Sequence, residues 1–220
     1  DIPTQRFFGN GISYTYENKT YKINKELIDQ LDAEVKRLSD SGVSVTAILL
    51  NAWNETVPEL NPKGVTELPK EQAVYYGFNV ESEGGFRAVK AMASFLAKRY
   101  NGKNGHGKIT NWVVGNEINN QYWNYMGDYD VSAYTVRFQR AFRVFYTAMK
   151  SVSANDNIMF SIDHYWNMFP EAAPVGKYKG KDIMLAFHNY EAAEGYMDYG
   201  LALHPYPYPM TSPNFWDDDK

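Results

Sequence analysis

Cysteine is absent from the 220 residues of this chain. Its absence excludes a disulfide framework, and it excludes catalysis or metal binding by thiolates. The cellular compartment stays open, because secreted bacterial proteins can also lack cysteine. The missing residue therefore removes a class of site without assigning a location.

Long apolar runs and an excess of positive charge are also missing. No stretch approaches the roughly 18 apolar residues that a membrane span needs, and the first residues lack the basic-then-apolar pattern of a signal peptide. The 22 basic and 26 acidic residues give a net charge of −4, with no basic stripe. We therefore expect no nucleic-acid partner, no membrane span and a substrate that is neutral or weakly charged.

Aromatic residues are abundant instead, with 18 Tyr, 12 Phe and 5 Trp. We expect most of the phenylalanines in the core, where large apolar side chains are usually found. Tyrosine and tryptophan combine an apolar ring with a polar atom, which suits a cleft where ring faces stack on the C–H faces of sugars. The composition therefore favours a carbohydrate partner.

The order of apolar segments and turn residues predicts six strands that alternate with helices. The strands are expected at 7–14, 43–50, 74–80, 109–114, 158–162 and 199–203. Helices are expected at 24–39, 83–100, 131–151 and 181–194, the third of them capped by Asp128 or Asp130. This alternation predicts an α/β fold with a parallel sheet, either an open doubly wound sheet or a barrel.

Polar and aromatic side chains follow most of the predicted strands. They are Asn51, Trp53, Asn79, Asn116, Glu117, Asp163, His164, Trp166, His204 and Tyr206. Their convergence on one rim favours a TIM (β/α)8 barrel, in which active sites lie at the C-terminal ends of the strands. No linker or repeat interrupts 1–220, so we expect one domain of about six βα units, with the two C-terminal units of the barrel missing.

Two other features carry little weight. The glycine-rich segment 102–108 matches most of a phosphate-loop pattern, but it lies between a helix and a strand, whereas a phosphate loop follows a strand and opens a helix. The four histidines show no paired metal spacing, so we expect no metal.

Glu117 is the principal catalytic candidate. The stretch 109–117 has the pattern of a short buried strand that ends on a glycine and is followed by a carboxylate. Glycosidic cleavage needs one carboxylic acid to protonate the leaving oxygen and a second carboxylate opposite it. The second group is not evident from the sequence. The carboxylates considered for it are Asp163, Glu55, Glu59, Glu191 and Glu194, none in a context like that of Glu117.

The Gly-Asn-Glu that ends this strand resembles the clan of retaining glycoside hydrolases built on a (β/α)8 barrel. In that clan an Asn-Glu pair ends the fourth strand, and no cofactor is needed. The resemblance implies that Glu117 is the general acid/base and that Asn116 binds the 2-hydroxyl of the sugar. It also implies a glutamate nucleophile at the end of a seventh strand, expected beyond Lys220.

The chain also resembles, over nearly its whole length, a family of secreted, mainly bacterial, glycosidase-like proteins. The segments that carry it are Ala47-Ile-Leu-Leu-Asn51, Trp112-Val-Val-Gly-Asn-Glu-Ile-Asn119, Trp123-Asn-Tyr-Met-Gly127, Ser161-Ile-Asp-His-Tyr-Trp166 and Leu203-His-Pro-Tyr-Pro207. The likeness implies a secreted or cell-surface location. The residues expected to bind the substrate are Asn116, His204, Tyr206, Trp123, Trp166, His164, Trp53 and Asn51.

The sequence thus predicts a glycoside hydrolase that acts on a polysaccharide or oligosaccharide, and it leaves alternatives open. The nucleophile either follows Lys220 or has been lost, in which case the chain is a non-catalytic carbohydrate-binding module derived from such an enzyme. Asp163 acting as a base through water would give inversion instead of retention. An unrelated barrel enzyme commonly needs a strand-end lysine, a phosphate loop or a metal cluster, and none is seen. We also expect residues 1–220 alone to be an incomplete folding unit.

Overall fold

A computed structural model describes residues 2–3, 7–169 and 176–206. Its centre is a five-stranded sheet in the order β1, β4, β5, β6, β7, in which every neighbouring pair is parallel. The strands are β1 at Ile2–Pro3, β4 at Thr46–Leu50, β5 at Asn111–Val114, β6 at Asn157–Ile162 and β7 at Gly200–Leu203. The predicted α/β class and parallel sheet are confirmed. Within the described residues the sheet is open rather than a closed barrel, with β1 and β7 at its edges.

A separate antiparallel hairpin follows β1. It consists of β2 at Gly11–Tyr16 and β3 at Lys19–Asn24. Glu17 and Asn18 form its two-residue turn with φ angles of 45° and 66°, the left-handed backbone that such hairpin turns require. The predicted sheet strand at 7–14 is therefore wrong: the alternation belongs to a hairpin arm, whose inner face packs on a helix.

In the described part of the chain, four α-helices lie between the strands in sequence. They are α1 at Lys25–Asp40, α2 at Glu83–Arg99, α3 at Val131–Lys150 and α4 at Gly180–Glu194. Asn24, Ser82 and Asp130 cap the first three by accepting a hydrogen bond from a first-turn backbone N–H, which explains where these helices begin. All four predicted helices are confirmed. None of the helices in the described part of the chain is long and apolar enough to span a bilayer.

The long connection between β4 and α2 contains no strand, so the predicted strand at 74–80 is wrong. Tyr76 forms only isolated bridges to Asn51 and Tyr125, and β4 pairs directly with β5. The connection is held by side chains instead, since the Asn51 amide donates to the carbonyls of Leu60 at 3.1 Å and Gly77 at 2.9 Å. An apolar segment can therefore be buried without joining a sheet.

Aromatic rings fill the space between α3, α4 and β6. Phe160 of β6 is fully buried and contacts rings from both helices. Trp112 of β5 is also fully buried, and its indole N–H donates to Asp156 at 3.3 Å. This packing fixes β5 and β6 side by side, which matters because the site is built at the ends of these two strands.

An ion pair joins α1 to α2. Arg99 donates to both oxygens of Asp32, at 2.8 Å and 2.5 Å, and His106 Nδ1 lies 2.9 Å from Asp32 Oδ2. Partial burial raises the pKa of Asp32, but the hydrogen bonds and charge of Arg99 outweigh it, so that the pKa lies below its ordinary value.

Replacing Asp32 by Asn is expected to destabilise the protein at neutral pH and to have little effect in acid. A carboxyl with a depressed folded-state pKa adds stability above its unfolded pKa of about 3.9, and this stability is lost as the pH falls through the folded pKa. The check is the urea midpoint of wild type and variant from pH 7 to pH 3. Asp29→Asn is the control, because Asp29 pairs with Lys25 while about half exposed. A difference that does not change with pH would contradict the prediction.

Candidate active site

The turn after β5 has an unusual backbone. Gly115 continues the ladder by donating to Leu49 O at 2.9 Å and has a φ of 74°. Two residues later Glu117 has a φ of 43°. A non-glycine residue in the left-handed region costs about 1–3 kcal/mol, and such strain clusters at functional sites. The turn places the Glu117 side chain at the C-terminal end of the sheet.

Ser161 of the neighbouring strand β6 holds this turn. The backbone N–H of Glu117 donates to Ser161 Oγ at 2.8 Å, and the N–H of Ile118 donates to Ser161 O at 2.9 Å. Ser161 is fully buried, so these bonds are shielded from water. Ser161 was not predicted from the sequence, although a hydroxyl within an apolar strand was the available signal.

Tyr134 of α3 supports the turn from below. Its hydroxyl donates to Ile118 O at 2.6 Å and accepts from Asn124 Nδ2 at 2.8 Å. Complete burial raises the pKa of Tyr134, so the hydroxyl stays protonated and remains a donor. No sequence pattern marked this residue, because a tyrosine on a helix is normally part of the core.

The Glu117 carboxylate meets His204, which follows β7. His204 Nδ1 lies 2.8 Å from Glu117 Oε1, and the two side chains are only 23% and 13% exposed. His204 is held by its backbone N–H, which donates to Ile162 O at 3.0 Å and extends the pairing of β7 with β6. Within the described chain, Glu117 Oε2 has no hydrogen-bond partner, which leaves this oxygen available to a ligand.

Asp163, considered above as a second carboxylate, has a different set of contacts. It is 3% exposed, and its Oδ1 accepts from Asn119 Nδ2 at 2.5 Å and from Tyr165 N at 2.9 Å. Asn119 Oδ1 in turn accepts from Asp163 N at 2.9 Å. This reciprocal pair joins the turns after β5 and β6, so the structure gives Asp163 a structural position instead of one facing solvent.

Two substitutions test the structural role of Asp163. Asp163→Asn keeps an oxygen that can accept from Asn119 and Tyr165, so the free energy of unfolding is expected to change little. Asp163→Ala leaves buried donors unpaired and is expected to cost about 1–3 kcal/mol. Urea unfolding measures both effects. A loss of stability in Asp163→Asn as large as that in Asp163→Ala would show that the negative charge, and not the hydrogen-bonding shape, holds the two turns.

Three further predicted residues surround the Glu117–His204 pair. Tyr206 is 41% exposed, and its ring centroid lies 5.9 Å from that of His204 and 6.1 Å from that of His164. Both ring nitrogens of His164 are buried without a hydrogen-bond partner. The Asn116 amide is partly buried and makes no hydrogen bond within the part of the chain that the structure describes. Pro207 of the same motif lies outside the described residues.

The three predicted tryptophans lie in different loops, after β4, β5 and β6. Trp53 packs edge-on against Tyr76 at 5.2 Å, and Trp123 stacks on Tyr75 at 6.2 Å. Trp166 follows β6 and is 41% exposed. The prediction that Asn51 binds the substrate is wrong, because Asn51 is 1% exposed and its amide donates to the loop carbonyls described above. Its position supports the loop and does not allow a direct sugar contact.

Comparison with known protein families matches residues 1–220 to a family of unknown function, DUF5722. The chain belongs to the DUF5722 family. A search of curated proteins finds no match. The function of this DUF5722 chain must therefore be argued from its own site.

The chemistry available to the DUF5722 site is that of a sheltered carboxylate with a histidine partner. Among the residues described, no cluster of three or more His, Cys, Asp or Glu is placed to hold a metal ion. What the site does bring together is one carboxylate, one imidazole and several partly exposed rings. This combination suits proton transfer to a polar organic ligand better than it suits binding of a charged one.

Proposed function

We propose that this DUF5722 protein is a glycoside hydrolase that cleaves O-glycosidic bonds in a polysaccharide or oligosaccharide. The observation that carries the proposal is the Glu117 carboxylate, held in a left-handed turn at the strand ends and paired with His204 at 2.8 Å. Glu117 acts as the general acid/base. Asn116 precedes it in the chain and Tyr206 lies beside His204, and both are assigned to sugar hydroxyls.

The hydrogen bond to His204 gives the two carboxyl oxygens of Glu117 different roles. In this proposal the N–H at His204 Nδ1 donates to Oε1, which fixes the orientation of the carboxyl group. Oε2 then carries the proton that passes to the leaving oxygen. In the second half of the reaction the same oxygen takes a proton from the attacking water.

The resemblance to the retaining clan gives this site a place in a barrel. Glu117 follows the third strand in the order of the described sheet, whereas the clan keeps its acid/base after the fourth. When β5 is aligned with the clan's fourth strand, β6 and β7 correspond to its fifth and sixth strands. The strand next to β7 would then be the seventh, which is the strand that carries the nucleophile glutamate. We expect this residue beyond Lys220, about 5–5.5 Å from Glu117.

A second candidate is a carbohydrate-binding module that has the cleft but no turnover. The position of Asp163 favours it to this extent: the carboxylate on the adjacent strand is buried and hydrogen-bonded, and so does not face Glu117. In both cases a secreted or cell-surface location is proposed, since polysaccharides are met outside the cell.

The test uses the full-length protein and a panel of barley β-glucan, arabinoxylan, galactomannan, pectic galactan and starch. New reducing ends, with the anomeric configuration retained by NMR, are the expected result. Binding of a polysaccharide in affinity electrophoresis without hydrolysis would favour the binding module. Neither binding nor hydrolysis of any carbohydrate in a wider glycan array would overturn the proposal.

A further inference from the structure

The position of Glu117 in the sheet determines what lies on each side of it. Glu117 follows β5, the central strand in the order β1, β4, β5, β6, β7. The C-terminal ends of parallel strands meet at one edge of a sheet, so loops anchored on β4 lie on one side of Glu117 and loops after β6 and β7 lie on the other.

Partly exposed rings occupy the β4 side. We call Trp53, Tyr75, Tyr122 and Trp123 the β4-side aromatic group. Backbone bonds attach it to β4, because Tyr76 N donates to Asn51 O at 2.7 Å and Val74 N donates to Tyr122 O at 2.9 Å.

The rings of this group also support one another. Trp123 stacks on Tyr75 with an angle of 29° between the ring planes, and Tyr122 meets Trp123 edge-on at 4.6 Å. A braced set of this kind keeps ring faces in a fixed position at little cost in side-chain entropy.

A second set of rings lies across Glu117. We call Tyr165, Trp166 and Tyr206 the β7-side aromatic group. Trp166 and Tyr206 are both 41% exposed, and Trp166 rests on Gly180, where an added Cβ would lie 3.3 Å from the indole. Exposed rings on a rigid rim, next to a sheltered carboxylate, are typical of a ligand surface.

We infer that the cleft of this protein runs across the sheet edge and binds a glycan chain on both sides of Glu117, so that the chain is cut internally. This inference rests on the proposed glycosidase function and deepens it by naming the substrate class, a polymer. An enzyme that removes terminal sugars needs a wall at one side of the acid, whereas the described residues place partly exposed rings on both sides of Glu117. Each aromatic group would stack on sugar units beyond the bond that is cleaved.

The experiment measures how affinity depends on chain length. The full-length Glu117→Gln variant serves as a binder, and the ligands are oligosaccharides of one to six units prepared from the panel polysaccharide that the protein binds best. We expect affinity to increase at least about tenfold between two and six units, as added stacking contacts on both sides would give. With the wild-type enzyme, viscosity of the polysaccharide should fall early, before reducing ends accumulate.

Variants identify the two sides. In the Glu117→Gln background, Trp53→Ala and Trp166→Ala are each expected to weaken binding of the hexasaccharide about two- to tenfold and to reduce the gain with length. Tyr196→Ala is the matched control, since this ring is 73% exposed and precedes β7 at the opposite end of the sheet. Unchanged thermal unfolding would show that the variants keep the fold.

The outcomes distinguish this inference from the function on which it rests. Affinity that reaches a plateau at one or two units, or release of terminal sugars alone without an early fall in viscosity, would overturn internal cleavage and leave the glycosidase proposal standing. Equal effects of Tyr196→Ala and the two tryptophan variants would also overturn it. Absence of binding to every glycan would overturn both.

Discussion

Glu117→Gln is expected to lower hydrolysis of unactivated glycans by the full-length protein by roughly 10²- to 10⁴-fold, which is the usual contribution of a positioned general acid. The amide keeps the shape of the carboxyl, and its oxygen can still accept from His204 Nδ1. It cannot deliver a proton to the leaving oxygen. Gln and Glu both carry a Cβ, so the cost of the left-handed backbone at position 117 is the same in the variant.

The measurement compares kcat/KM for a natural glycan with that for a substrate carrying an activated aryl leaving group. The aryl group leaves without protonation, so the variant should lose less on its first step with this substrate. Glu34→Gln is the control, because Glu34 is exposed on α1 and pairs with Arg37. Wild-type turnover of the unactivated glycan by Glu117→Gln would remove Glu117 from the mechanism.

Phe160→Ala is expected to lower the free energy of unfolding by about 3–5 kcal/mol. Phe160 is fully buried in β6, and its ring lies 4.9 Å from that of Phe187 and 5.5 Å from those of Phe138, Phe142 and Tyr199. Truncation leaves a cavity among rings that cannot close it without moving a helix.

The check for Phe160 is urea unfolding followed by circular dichroism. Phe169→Ala is the matched substitution, since this ring is 54% exposed, and a change within about 0.5 kcal/mol is expected for it. A loss below about 1 kcal/mol for Phe160→Ala would show that the aromatic cluster repacks, and that it does not fix the position of β6.

Local signals in the sequence were sufficient for the helices and for the central strands. Asp130 caps a helix as predicted, because an N-cap depends on a side chain and a backbone N–H three residues apart. The segment 74–80 failed for the opposite reason. Its apolar residues are buried by distant partners such as Asn51, and no local pattern distinguishes that from burial in a sheet.

The same division applies to the site. The proximity of Glu117 and His204 could be predicted because strand ends converge wherever the strands are parallel. Ser161 and Tyr134 could not, because their importance lies in hydrogen bonds to a turn that is distant in sequence. The role of Asp163 was equally hidden, since a strand-end carboxylate looks the same in sequence whether it faces solvent or a buried amide.

The contact between Glu117 and His204 depends on correct pairing of the strands that precede them. Glu117 follows β5 and His204 follows β7, and these two strands are not neighbours because β6 lies between them. Side chains alternate between the faces of a strand, so a slip of one residue in the β6–β7 register would turn the imidazole away from the carboxylate. A misregistered or half-assembled protein would thus carry its acid without a partner. Acquisition of activity during refolding should therefore coincide with the final alignment of β7, and should not precede it.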